Sequence, residues 1–206
     1  MADPGSNNKS SNDEKNSKRY LLILDINGLL CQKIFKSDCD KDKPVSYQYE
    51  TLELGKFYVY IRPDVKSFLE KCFELADVAF WSSTTYYNAK HIIYHILTKS
   101  QQSNAVFKWY RDRTKLDPSY GTDPNINESD TIKDLNDVWN NPVINRNRIY
   151  DSSNTVICDD DPQKVRLNNK DNVIVIETFD PLVSEYDNTV MDGIFDKIKQ
   201  SLLTEH

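Results

Sequence analysis

The stretch RYLLILDINGLL, residues 19–30, places four apolar residues directly before an acid and a turn. The apolar run from Leu21 to Leu24 predicts a buried strand over about residues 20–25 that ends at Asp25, and Asn27 with Gly28 is a turn-forming pair. Open α/β sheets build their ligand sites outside the carboxyl ends of their strands. The stretch therefore predicts a strand that carries a carboxylate to the edge of a sheet where ligands bind.

The composition is that of one folded domain with a polar tail. The chain has 206 residues, of which 38% are hydrophobic, which is enough for one core. The net charge of -6 argues against a nucleic-acid partner, because phosphate binding requires clustered lysine and arginine. No apolar run reaches the about 18 residues that a membrane span requires. We expect a disordered tail over residues 1–18 and a single soluble domain over residues 19–206.

The four cysteines form no C-x-x-C pair and have no metal-ligand spacing. Cys72 and Cys158 lie in apolar patterns, which favours small core residues over a disulfide. A reducing compartment, nuclear or cytoplasmic, is the simplest interpretation of this cysteine usage.

Apolar periodicity along the chain alternates between the repeat of strands and that of helices. Residues 46–63, SYQYETLELGKFYVYIRP, predict two strands that turn at Gly55. The later elements are predicted in this order: a helix that Pro63 opens, a strand at 78–81, a helix at about 86–98, a loop at 112–130, a short helix within IKDLNDVW, strands within NTVIC and NVIVIE, and a last helix with Met191, Ile194, Phe195, Ile198 and Leu202 on one face. This alternation predicts an α/β fold, a doubly wound parallel sheet with a small β insertion.

Polar residues follow several of these predicted strands, so a parallel sheet would bring them to one edge. Asp25 ends the first strand, Ser82 follows another, and Asp159 and Asp160 end a third, while Lys133 opens a helix between the last two. Acidic strand ends that lie close together repel each other, so a divalent cation or a lysine must lie between them. Hard oxygen ligands of this kind suit Mg²⁺, which binds phosphate alongside carboxylates. The constellation predicts phosphoryl transfer through an aspartyl-phosphate.

Four stretches in a fixed order resemble the motifs of the haloacid dehalogenase superfamily. They are LLILDINGLL, IRPDVKSFLEKCFELADVAFWSS, IKDL and NTVICDDDP. The chain resembles in particular the NLI-interacting-factor-like, or Fcp-homology, branch, which includes phosphatases of the RNA polymerase II C-terminal domain. Over residues 20–180 the resemblance implies a haloacid-dehalogenase-like, Rossmannoid fold without a large cap domain. It also implies a Mg²⁺-dependent serine/threonine phosphatase whose partner is a phosphorylated protein or peptide.

The resemblance also implies a role for each matching residue. Asp25 would be the nucleophile and a Mg²⁺ ligand, and Asn27 would offer its backbone carbonyl to the metal. Ser82 would hydrogen-bond the transferred phosphate, which Lys133 would neutralise. Asp160 would complete the metal site, with Asp159 in support.

The chain departs from the family pattern at Asn27, where the family has a second Asp that acts as general acid and base, and at Leu29, which replaces a Thr. An amide cannot exchange a proton at neutral pH, and losing such a group typically lowers rates by about 10²–10⁴. Three interpretations stay open. The protein is a slow phosphatase, a pseudophosphatase that binds proteins or phosphopeptides, or a variant in which Asn was introduced for Asp.

Simpler interpretations compete for several of these side chains. Ser82 and Ser83 could cap the helix that follows them, and Asp161 could cap a helix that begins at Pro162. His91 and His95 have the i, i+4 spacing of zinc ligands, but no third ligand is evident nearby.

Overall fold

The computed structural model describes residues 19–39, 49–116, 131–147, 149–182 and 187–203, so the predicted tail at 1–18 lies outside the described residues. The strands are β1 (Leu21–Leu24), β2 (Cys31–Phe35), β3 (Thr51–Leu54), β4 (Phe57–Ile61), β5 (Asp77–Trp81), β6 (Lys108–Trp109), β7 (Lys115–Leu116), β8 (Thr131–Ile132), β9 (Thr155–Asp159) and β10 (Val173–Val175). The helices are α1 (Val65–Leu75), α2 (Tyr86–Ile96), α3 (Lys99–Asn104), α4 (Leu135–Trp139), α5 (Pro162–Val165) and α6 (Val190–Leu203).

A parallel sheet with the order β10-β9-β1-β5-β6 forms the centre of the fold. Successive side chains of a strand point to opposite faces, and β1 is buried on both. Leu22 and Leu24 pack in the cluster that contains buried residues of α1, α2 and α6. Leu21 and Ile23 pack with residues of α4 and α5. Helices therefore cover both faces, and the predicted doubly wound parallel sheet is confirmed.

The predicted β insertion is an antiparallel sheet with the order β2-β4-β3, between β1 and α1. Its hairpin turns at Gly55, which has φ +58, a conformation that glycine adopts without strain. Tyr49, Tyr60 and Phe179 form a small buried cluster beside this sheet. Since β2 follows the turn after β1 directly, the insertion is attached at the edge where Asp25 lies.

Several local features differ from the sequence-based expectations. Helix α1 begins at Val65 rather than at Pro63, because Asp64 adopts a left-handed conformation with φ 57 and precedes the helix. Lys108 and Trp109 form β6, the edge strand of the central sheet, which the sequence pattern did not predict. The predicted loop at 112–130 contains β7, and its residues 117–130 lie outside the described residues.

Two negative findings bear on the chemistry of the chain. In the part of the chain that the structure describes, no helix is long and apolar enough to cross a bilayer. All four cysteines are free, and Cys72 and Cys158 are buried in the core, as predicted.

Candidate active site

The side chains predicted to act together meet at the carboxyl edge of the central sheet. Asp25 follows β1, Ser82 follows β5 and Asp159 ends β9, and β1 lies between the other two strands. Lys133 follows β8 and precedes α4. The strand order explains this convergence, because parallel neighbours end on the same side of the sheet.

Lys133 lies at the centre of this group and is fully buried. Its Nζ donates hydrogen bonds to Asp25 Oδ1 at 2.7 Å and to Asp159 Oδ2 at 2.5 Å. Burial by itself would lower the pKa of Lys133, but the charges of the two carboxylates outweigh it and raise this pKa. The ammonium therefore stays charged and bridges the predicted nucleophile and its neighbour.

Asp25, Asp159 and Asp160 form an acidic cluster in which one oxygen of each lies within 4.8 Å of the others. Burial, together with the charge of Asp25, raises the pKa of Asp160. Its Oδ2 accepts a hydrogen bond from Thr178 Oγ1 at 2.8 Å, whereas its buried Oδ1 has no hydrogen-bond partner among the described residues. A buried carboxylate oxygen without a donor is the feature that a hard cation satisfies, so these residues fit Mg²⁺.

Asn27 is half-buried, and both polar ends of its side chain form hydrogen bonds with residues of strand β2. Its Oδ1 accepts a hydrogen bond from the backbone N–H of Lys33 at 3.0 Å, and its Nδ2 donates to Gln32 Oε1 at 3.2 Å. The amide at the position of the family's second Asp therefore anchors the insertion to the turn after Asp25. The role of its backbone carbonyl at a metal stays a prediction.

Gly28 allows the turn after β1 to approach the end of β9. It has φ +88, and a Cβ built on it would lie 1.9 Å from Asp160 Oδ2. Only glycine fits here, because any side chain would displace the acid and would strain the backbone.

Ser82 is buried beside this cluster, and its own hydrogen bonds leave its hydroxyl able to donate. Its Oγ accepts from the backbone N–H of Thr84 at 3.2 Å. The helix-capping interpretation is wrong for both serines, because α2 begins after Thr85 and Ser83 Oγ instead pairs with Thr131 Oγ1 at 2.8 Å. The phosphate-binding role of Ser82 stays a prediction.

Asp161 caps a helix, as predicted, and His95 pairs with a glutamate. The Asp161 side chain accepts a hydrogen bond from Gln163 N at 2.9 Å at the start of α5. His95 Nε2 lies 2.6 Å from Glu50 Oε1, and the acidic cluster is the one potential metal-binding group found within the described ranges. Within those ranges the histidine pair therefore has no third ligand that would support zinc.

Three further residues hold the site together, of which Thr178 and Arg111 had no recognisable signal in the sequence, whereas Arg62 lies in the IRPDVK stretch that resembles a family motif. Thr178 fixes the Asp160 carboxylate through its hydrogen bond to Oδ2. Arg62 Nη1 donates to the carbonyl of Leu29 at 3.2 Å, and Arg111 Nε donates to the carbonyl of Ser83 at 2.8 Å. All three act on loops after strand ends, where no apolar periodicity constrains the sequence.

Comparison with known proteins agrees with this geometry. The sequence profile of the NLI interacting factor-like phosphatase family matches residues 20–203. The chain belongs to this family. A sequence search of curated proteins finds no significant match.

Two solved structures share the fold of this NLI interacting factor-like chain. One is described as the fission yeast RNA polymerase II CTD phosphatase Fcp1 bound to beryllium fluoride, the other as Fcp1, an essential RNA polymerase II CTD phosphatase. Each aligns with a TM-score of 0.52 and 18% identity over 90% of this chain and 51% of its own. The chain thus spans about half the length of these structures, and the likeness supports the predicted haloacid-dehalogenase-like fold.

Proposed function

We propose that this chain is a Mg²⁺-dependent phosphatase domain that acts on phosphoserine or phosphothreonine in proteins through an aspartyl-phosphate, with catalysis weakened by Asn27. The observation that carries the proposal is the buried arrangement in which Lys133 bridges Asp25 and Asp159 beside an oxygen of Asp160 that no described donor contacts. The four free cysteines suit a protein of the nucleus or cytoplasm, where thiols stay reduced.

The acidic cluster would hold the metal. Asp25 and Asp160 would supply carboxylate oxygens, Asn27 its backbone carbonyl, and Asp159 would support them from its bond to Lys133. Bound Mg²⁺ would stabilise negative charge on the phosphate oxygens.

Each remaining step uses side chains of this chain. A carboxylate oxygen of Asp25 attacks phosphorus while the bond from phosphorus to the serine or threonine oxygen breaks. Lys133 and the Ser82 hydroxyl stabilise the transferred phosphate. The leaving oxygen must take its proton from water, because the Asn27 amide does not act as a general acid at neutral pH. Water then hydrolyses the aspartyl-phosphate and releases inorganic phosphate.

A pseudophosphatase is the second candidate, and the hydrogen bonds of Asn27 favour it. The side chain binds Gln32 and the Lys33 backbone, so its amide holds the insertion in place where the family has an acid that transfers protons. In that case the same edge would bind a phosphorylated protein without turnover.

Hydrolysis of p-nitrophenyl phosphate, with and without Mg²⁺, separates the two candidates. This substrate has a good leaving group, so it requires little general-acid help. The parent protein is compared with Asn27→Asp and Asp25→Ala, and with Asn104→Asp, which adds the same charge at the end of α3. A slow enzyme gives Mg²⁺-dependent turnover that Asp25→Ala abolishes and that Asn104→Asp leaves unchanged. Asn27→Asp raises this turnover, by up to about 10²–10⁴ when a phosphoserine peptide replaces the activated ester.

No turnover in the parent protein or in Asn27→Asp would reject the enzyme. Binding of a phosphoserine peptide by that inactive protein would then support the pseudophosphatase.

A further inference from the structure

A cavity of about 610 Å³ lies between α6 and the segment that follows β10. Its lining includes Arg62, Phe179, Gly193 and Lys197. It adjoins the candidate active site through Phe179, whose backbone N–H donates to the carbonyl of Gly28 at 2.8 Å. None of the proposed catalytic residues lines this cavity.

Arg62 is a buried cation that forms no ion pair among the described residues, although the charges of Asp160 and Glu177 act on it from a longer distance. Only 7% of its surface is exposed, and its Nη1 donates to the carbonyls of Leu29 at 3.2 Å and Gly28 at 3.5 Å. Its Nε and Nη2 have no acceptor, and the described part of the chain places no carboxylate within ion-pair distance. A buried guanidinium is costly unless it is paired, so an anion bound directly to its unused donors would stabilise this side chain.

The two N–H groups of Arg62 that contact no acceptor have a fixed relative geometry. The N–H groups of Nε and Nη2 form the parallel fork that binds a carboxylate or a phosphate with two hydrogen bonds. The Phe179 ring lies 5.5 Å from the guanidinium carbon, and the carbonyl contacts fix the opposite corner of the group. The fork is therefore held in one orientation at the wall of the cavity.

Gly193 leaves space in the cavity but lowers the stability of helix α6. It lies inside the helix, where glycine is less stable than alanine, and its φ is not positive. A Cβ at this position would meet no atom within 4 Å, so packing does not require a glycine. Lys197, one turn later in the same helix, adds a second cation to the lining.

A second cavity lies beside the first, on the other side of Arg62. It has a volume of about 290 Å³ and shares Tyr49, Arg62 and Pro63 with the first. The two form a groove with the guanidinium in its middle, far larger than a single oxyanion and within the range of ligand sites, about 300–1,000 Å³. An extended ligand with an anionic group part-way along it matches this form.

We propose that this Arg62 groove binds a peptide and takes a carboxylate- or phosphate-bearing side chain of that peptide on the Nε and Nη2 fork. The groove is also lined by acids, Glu177 and Asp187 in the first cavity and Glu50 and Asp64 in the second, so a single anionic side chain with neutral or basic neighbours fits better than an acidic run. The groove is separate from the acidic cluster, and its binding does not depend on turnover at Asp25.

Nuclear magnetic resonance of the ¹⁵N-labelled full chain, kept metal-free with EDTA, tests the proposal at the Arg62 Nε–H signal. The probes are capped Gly-Glu-Gly, Gly-phosphoserine-Gly and Gly-Gln-Gly tripeptides and inorganic phosphate. Gly193→Leu adds a side chain to the lining of the groove, where a Cβ would meet no atom within 4 Å, and Lys199→Leu places the same side chain at an exposed position of α6 outside it.

We expect a saturable shift of the Arg62 signal with the glutamate tripeptide, the phosphoserine tripeptide or both, and none with the glutamine tripeptide. The affinity should fall at least about tenfold in Gly193→Leu and stay unchanged in Lys199→Leu. No shift with either anionic tripeptide, or equal affinity in Gly193→Leu, would overturn the proposal. Inorganic phosphate that binds as tightly as the peptides would also overturn it, because the site would then be one for free anions.

Discussion

Replacing Lys133 by methionine should remove about 3–5 kcal/mol of unfolding free energy from the metal-free protein. The change deletes two hydrogen bonds to carboxylates, at 2.7 and 2.5 Å, while the apolar part of the side chain keeps a similar size. Asp25 and Asp159 are 1% and 0% exposed, so water cannot replace the lost partner. The loss is therefore the cost of buried carboxylates without a counterion rather than the cost of a cavity.

Urea unfolding monitored by circular dichroism in EDTA measures this loss. Lys66→Met is the control, since its ion pair with Glu50 is about half exposed and should contribute less than about 1 kcal/mol. Adding Asp159→Asn to Lys133→Met should recover part of the stability, because one unpaired carboxylate disappears. If Lys133→Met cost no more than the Lys66 control, the reasoning about the buried bridge would be refuted.

Three further predictions concern other residues. Gly28→Ala should lower Mg²⁺ affinity by about tenfold or more in calorimetric titration, because the new Cβ displaces Asp160. Gly55→Ala is the control: Gly55 also has a positive φ, but no atom lies within 4 Å of a Cβ there, so this variant should only lose about 1–3 kcal/mol of stability. Thr178→Val should weaken Mg²⁺ binding about 10–100-fold and Thr178→Ser should restore it, and equal affinity in all three would contradict a positioning role. Burial raises the pKa of Glu50, but its lysine and histidine partners lower this pKa more, so the folded value lies below the ordinary 4.5. The Glu50 carboxylate therefore contributes to folding stability above pH 4.5, and this contribution is lost as the pH falls through the lower folded pKa. Glu50→Gln should therefore cost about 0.5 kcal/mol at pH 7 in urea unfolding, and this cost should vanish in acid.

The central sheet and the acids at its edge were predictable because both follow from short-range patterns. The apolar run before Asp25 identifies β1, and the run before Asp159 identifies β9. Helical periodicity between the strands indicates helices that cross over from one strand to the next, and such connections join parallel strands. The carboxyl ends of parallel strands, where ligands bind, lie at the same edge of the sheet. Topology alone therefore brings Asp25 and Asp159 together, whereas Lys133 follows β8 outside the central sheet and was predicted from its place in the IKDL motif.

The parts that could not be predicted depend on loop geometry. β6 has two residues, Lys108 and Trp109, too few for an alternating pattern. The left-handed conformation of Asp64 shortens α1, although aspartate carries only a weak preference for it. The contact of Thr178 with Asp160 joins two loops 18 residues apart, and no periodicity relates them.

The buried bridge at Lys133 has a consequence for how the chain folds. Its partner Asp25 lies 108 residues earlier in the sequence, and Asp159 lies 26 residues later. Contacts that close such long stretches form slowly. During synthesis β1, whose four side chains are fully buried in the native fold, has an open edge until β9 has been made. An unpaired apolar strand is a template for aggregation, so substitutions that delay the pairing of β9 should lower the yield of folded protein before they alter its chemistry.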